Sequence, residues 1–205
     1  MNPHDKRVIH SSAECGWRTP DPMFDLLDSE FYFALDAAAV KKDSKCHAYL
    51  GPDHEDSRRR DALVVDWRTA QDYDQTPGYR PVFINPPFSV DLYRKSVKAG
   101  HPDKSLLIES WAEKCATEGQ RVTVVGVFPA GTQTRWWYSF VRNGPMRARE
   151  IRSIPHRVSF LRPDGSKAHN AGGNTAVVIW TPNPGYVGDW APAERVWTWR
   201  TWVSA

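Results

Sequence analysis

The sequence predicts an α/β protein whose mostly parallel sheet ends in an antiparallel C-terminal hairpin. Three observations carry this. A β-branched and aromatic run, Val82-Phe83-Ile84, stops at Asn85-Pro86-Pro87-Phe88. Helix-spaced apolar residues and then a valine-rich run over residues 121–128 follow it, the pattern of a strand–helix–strand crossover between parallel neighbours. Two more strand-like runs, residues 157–161 and 175–180, stand close together and read as an antiparallel pair.

The chain has 205 residues, enough for one domain with a substantial core. The expected division is a polar arm over residues 1–14, a core over 15–182 and a Trp/Pro-rich extension over 183–205. The formal net charge is only +3. No apolar run reaches 18 residues, and the first twenty residues carry charges and no apolar h-region. Neither a membrane span nor a secretory signal is expected. Cys15, Cys46 and Cys115 are odd in number and widely spaced, so they read as reduced thiols in a cytoplasmic protein.

The elements follow in order. Asp21-Pro22 starts a helix, with Asp21 as N-cap and Pro22 at the first helical position. Met23, Phe24, Leu26, Leu27 and Phe31 give it an apolar face. Residues 31–35 read as the first strand, with Asp36 at its carboxyl end, and residues 45–50 as a short second strand. Cys46, His47 and His54 fit no zinc spacing, so no metal is expected. Arg58-Arg59-Arg60 reads as a solvated surface run, with a phosphate contact as the minor alternative. Residues 71–80 are a polar loop. After Phe88 come a short helix over 93–99 and a longer one over 104–118, with Leu106, Leu107, Trp111 and Cys115 at helical spacing. Gly119 stands where a helix usually closes. Trp136, Trp137, Phe140 and Val141 form an aromatic helical stripe that reads as core.

The corner after Ile84 has a definite chemistry. Pro86 forces Asn85 into an extended conformation, and neither Pro86 nor Pro87 has an N–H. The loop therefore offers acceptors with few competing donors: backbone carbonyls and the Asn85 amide oxygen. Phe88 adds a flat face for stacking on a ring. Such a corner, at a strand's carboxyl end, suits an amine on an aromatic ring. A plain strand-ending turn is the bland alternative.

Asn85-Pro86-Pro87-Phe88 matches the Asn/Asp-Pro-Pro-Tyr/Phe motif of amino-methyltransferases. With Trp17-Arg18-Thr19-Pro20 and Leu35-Asp36-Ala37-Ala38-Ala39, the chain resembles the phage and prophage DNA N6-adenine methyltransferases, over roughly residues 15–182. The resemblance implies a Rossmann-like class I methyltransferase fold and S-adenosyl-L-methionine as cofactor. It implies double-stranded DNA as partner, adenine flipped out for methylation, and GATC as the target expected. It makes Asn85, Pro86, Pro87 and Phe88 catalytic. It assigns Thr19, Pro20, Asp36, Ala37, Asp61 and Asn85 to the cofactor, with Asp61 accepting from its adenine amine. For Thr19-Pro20 a capping turn is the alternative, for Asp36 a strand-end cap, and for Asp61 a helix cap. Where related enzymes carry a glycine-rich loop, this chain has three alanines and no glycine until Gly51.

Residues 142–167 hold Arg142, Arg147, Arg149, Arg152, Arg157, Arg162 and Lys167 against Glu150 and Asp164. Seven cations and two acids make the segment +5, leaving −2 for the rest of a +3 chain. That is the footprint of a DNA-binding surface, or of an ordinary basic loop. Two other functions stay open: an amino-methyltransferase acting on RNA or a protein glutamine, and an inactive DNA-binding module retaining the fold. A monomer is the expected state.

Overall fold

The computed structural model describes residues 17–71, 80–162, 164–167, 173–182 and 191–198. The expected arm over 1–14 lies outside them, as do most of the 71–80 loop and much of the C-terminal extension. The described residues form a seven-stranded sheet in the order β2-β1-β3-β4-β6-β5-β7. Its strands are β1 (Leu35–Asp36), β2 (Ala48–Tyr49), β3 (Val82–Ile84), β4 (Val124–Pro129), β5 (Glu150–Ser153), β6 (Thr175–Trp180) and β7 (Ala193–Val196). β1, β2, β3 and β4 pair in parallel, β6 runs antiparallel to both β4 and β5, and β7 returns parallel to β5. This is the mostly parallel sheet with antiparallel C-terminal strands that the sequence predicts.

The central strands are apolar on both faces because both faces are covered. Val82 and Ile84 of β3, Val124 and Phe128 of β4, and Val178 and Trp180 of β6 pack to one side. Phe83, Val125, Val127, Val177 and Ile179 pack to the other. Helix α1 (Asp21–Phe31) covers the second side with Met23, Phe24 and Leu27. Helix α3 (Ile108–Glu118) covers the first with Trp111, Ala112, Cys115 and Ala116. The stripe of Trp136, Trp137, Phe140 and Val141 joins the same side as core, as expected, through a π-type helical turn at Trp137–Arg142.

Several boundaries differ from the sequence reading. Pro20, not Asp21, is the α1 N-cap; its carbonyl accepts from Met23 N and Phe24 N. Asp21 is instead ion-paired with Lys45. Phe31 belongs to α1, and Tyr32 closes that helix in the left-handed region at φ 57°. The Asp28 carboxylate then accepts from Phe33 N at 2.8 Å. The first strand is thereby reduced to Leu35–Asp36. The helix after the corner, α2 (Val90–Lys98), starts earlier than expected. The longer helix is divided: Lys104–Leu106 is a 3-10 turn, and Leu107 is extended before α3 begins. Gly119 closes α3 at φ −58°, so no left-handed turn demands it. Packing does: a Cβ there would lie 2.4 Å from the Trp180 Cβ. Residues 157–161 are not a strand. The partner of β6 is β5, several residues upstream, while Leu161 makes only isolated bridges with Arg18 and Lys167.

Candidate active site at the carboxyl ends of β1 and β3

Asp36 of β1 pairs in register with Phe83 of β3, so the segments that leave these two strands start side by side. Ala37 N donates to the Phe83 carbonyl at 2.9 Å, which brings the alanine loop against the strand that carries Asn85. Asn85 and Pro87 are half-buried, Pro86 is buried, and Phe88 is 38% exposed. Ser89 N donates to the Leu106 carbonyl at 2.9 Å and ties the corner to the turn that precedes α3.

The corner is held from the N-terminal side. Asn85 Nδ2 donates to the Trp17 carbonyl at 2.7 Å. A reversed amide would oppose two oxygens at that distance, so the orientation is determined. Asn85 Oδ1 has no hydrogen-bond partner among the described residues. The head that supplies the Trp17 carbonyl is itself anchored. Arg18 and Leu161 exchange backbone hydrogen bonds at 2.9 and 3.0 Å, and Arg18 Nε lies 3.2 Å from Asp43 Oδ1. Thr19 beside it is 2% exposed, and its hydroxyl has no hydrogen-bond partner among the described residues.

Asp36 is buried at the same end of the sheet. Its Oδ2 accepts from Lys45 N at 3.0 Å and its Oδ1 from Ala38 N at 3.4 Å. It therefore caps the strand end and shapes residues 37–45. Burial outweighs these hydrogen bonds and pushes its carboxyl up from an ordinary 3.8 to about 6. Lys45 carries no signal in the sequence alone. Its ammonium pairs with Asp21, holding that carboxyl below its ordinary value, and lies 5.9 Å from the Phe24 ring centre. The glycine missing from the alanine loop stands opposite it. A Cβ on Gly51 would fall 1.6 Å from the Ala39 carbonyl oxygen, so that glycine lets the two backbones meet.

The family model for DNA N-6-adenine-methyltransferase (Dam) matches residues 8–187. The chain belongs to this family. No curated protein matches it. Membership gives the general activity, methylation of adenine N6 in DNA, and identifies the fold as the methyltransferase fold that the sequence resembles. Of the residues expected to serve that activity, the structure brings Asp36, Ala37 and Asn85–Phe88 to two neighbouring strand ends, and Thr19 and Pro20 follow closely on the Trp17 carbonyl that Asn85 binds.

Asp61 is exposed and caps its own turn, accepting from Leu63 N at 3.0 Å. Trp67 is a core residue in this methyltransferase. It is fully buried, with its indole N–H donating to the Ala62 carbonyl at 2.8 Å and Lys114 5.6 Å from its ring centre. Among the described residues no three His, Cys, Asp or Glu side chains converge to hold a metal. No described helix is long and apolar enough to cross a membrane.

The basic segment is less uniform than its composition. Arg152 is 5% exposed and lies between Glu30 and Glu150, at 2.5 and 2.7 Å, stacked over Phe31. It holds α1 to β5 and is not available to DNA, a correction that sequence spacing could not supply. Arg142 pairs with Glu194 at 2.7 Å. Arg147 Nη1 donates to the Gly144 carbonyl, and Arg162 Nη1 to the Lys167 carbonyl. Arg149, Arg157 and Lys167 are exposed.

Proposed function

We propose that the chain transfers a methyl group from S-adenosyl-L-methionine to the N6 amine of an adenine extruded from a specific double-stranded DNA sequence. The observation that carries this reading is the Asn85 amide: one end is fastened to the Trp17 carbonyl, and the other presents an acceptor. The exocyclic amine of adenine is a weak nucleophile because its lone pair is delocalised into the ring. Asn85 Oδ1 and the Pro86 carbonyl accept its two N–H bonds and free that lone pair. No strong base is required, because the proton leaves after the methyl has arrived. The base must leave the duplex to reach this corner, and Phe88 holds it by stacking worth about 1–3 kcal/mol.

The residues present fit the cofactor. The buried Thr19 hydroxyl lacks a partner among the described residues, and the Asp36 carboxylate keeps lone pairs beyond those used by Ala38 and Lys45. Thr19, Pro20, Asp36 and Ala37 would hold it, with Asp61 at the adenine end. When bound, S-adenosyl-L-methionine supplies the electrophilic methyl carbon. The remaining cations of residues 142–167 neutralise DNA phosphates.

The test is tritiated methyl transfer to DNA, RNA and protein in parallel, with digestion of GATC-containing DNA by methylation-sensitive nucleases. DNA alone should be labelled. Asn85→Ala should lower turnover by about 10²–10³, the range for losing one hydrogen bond formed to the reacting group, while calorimetric cofactor binding persists. Wild-type turnover in that variant would refute the role given to Asn85.

A further inference from the structure

Two helices separate β3 from β4, and their described side chains differ in burial. α3 buries five residues against the sheet. None of the described side chains of α2 is buried. A parallel crossover needs one covering helix, and the described side chains of α2 give no packing account of it. Its position does suggest one: α2 begins at Val90, two residues after Phe88.

At about 100° per residue, Arg94, Lys98 and Lys95 fall within an arc of about 100° on this helix, and all three are exposed. Lys104 follows in the next turn, also exposed. Lys95, Lys98 and Lys104 have no ion-pair partner among the described residues, and Arg94 has only a 3.8 Å approach to Asp91. Arg142 and Arg152 of residues 142–167, by contrast, are held by carboxylates. Val90 and Val97 lie on the flank of the same exposed face, at 56% and 47% exposure.

We propose that α2 is a DNA-gripping element, with Lys95, Lys98, Arg94 and Lys104 on the phosphates that flank the base held by the Asn85 corner. This rests on the reading that the corner receives a base from duplex DNA. An ammonium on a flexible stem, without an internal partner, is suited to a phosphate as a point charge. Cations placed directly after Phe88 fix the duplex close to the nucleotide that must be extruded. They supply affinity and register, not sequence discrimination.

The experiment is salt-dependent binding of a duplex oligonucleotide to the full chain, comparing wild type with Lys95→Ala/Lys98→Ala. Removing one cation from a phosphate lowers the log–log slope by about 0.9, so the double variant should fall short by about 1.8. KM for DNA should rise about ten-fold, with kcat at saturating DNA and cofactor affinity unchanged. Lys95→Arg/Lys98→Arg should restore the slope. An unchanged slope in the alanine variant, with wild type binding DNA, overturns the role of α2 and leaves the proposed chemistry standing. DNA binding of wild type with the expected slope change but no methyl transfer supports α2 and refutes the chemistry. Absence of DNA binding by wild type refutes both.

Discussion

α2 and α3 belong to one crossover, yet they meet their surroundings in opposite ways. α3 lays Trp111, Ala112, Cys115 and Ala116 on the sheet, and its Glu118 is 4% exposed, accepting from Lys114 at 2.6 Å and Trp67 N at 3.3 Å. Burial pushes the Cys115 thiol well above its ordinary value, so it stays an inert packing group. α2 presents cations and two valines to solvent. The contrast separates what the fold requires from what is added to it. None of the described side chains of the helix nearest the Asn85–Phe88 corner is buried.

Substitutions can break this contrast. The largest effect is expected in α3. Trp111→Ala should destabilise the protein by about 3–5 kcal/mol in denaturant titrations, because a buried indole and its hydrogen bond to the Ser105 carbonyl are lost together. A loss under about 1 kcal/mol would show that α3 is not the covering helix it looks to be. A smaller effect is expected at the carboxyl end of β1. The Asp36 carboxyl ionises near 6 when folded and at its ordinary 3.8 when unfolded, so the folded state binds the proton more tightly. Stability should therefore fall as pH rises from about 4 to 6, by about 3 kcal/mol in total from this group. Asp36→Asn should flatten that part of the profile; an unaltered profile would mean that another group carries it. The smallest effect belongs to α2. Val97→Ala should change stability by less than about 0.5 kcal/mol, and a cost near that of Trp111→Ala would erase the distinction.

How much of this is legible in the sequence depends on whether the cause is local. Val82–Ile84 and the Asn85–Phe88 corner can be read directly, because a β-branched run and two prolines fix their own backbones. β6 can be read because a strand covered on both faces is continuously apolar. β5 cannot. Its sequence Glu-Ile-Arg-Ser has one aliphatic residue, and Arg152 is buried between Glu150 of its own strand and Glu30, which arrives from α1, far along the chain. The run at Phe31–Phe33 misleads for the opposite reason. Phe31 stacks on Phe33, and Phe33 packs at a tilt against Phe83, while the backbone is the end of a helix and a left-handed turn. At the site, the positions of Asp36 and Asn85 at strand ends are legible. Lys45, Arg18 and the Trp17 carbonyl are not, since each acts through a partner that only the fold supplies. Gly51 stands in plain view, but its need for space comes from the Ala39 backbone across the strand end.

β6 has one further consequence. It is late in the chain but lies in the sheet interior, bonded along its length to β4 on one side and β5 on the other. A growing polypeptide that has left the ribosome only as far as β5 still offers the open rim of β4, valine-rich and six residues long. Any neighbouring nascent chain with an unpaired strand can dock there. Protection comes only once Trp180 has emerged, so slow decoding beyond residue 153 prolongs the period in which this enzyme can be lost to aggregates.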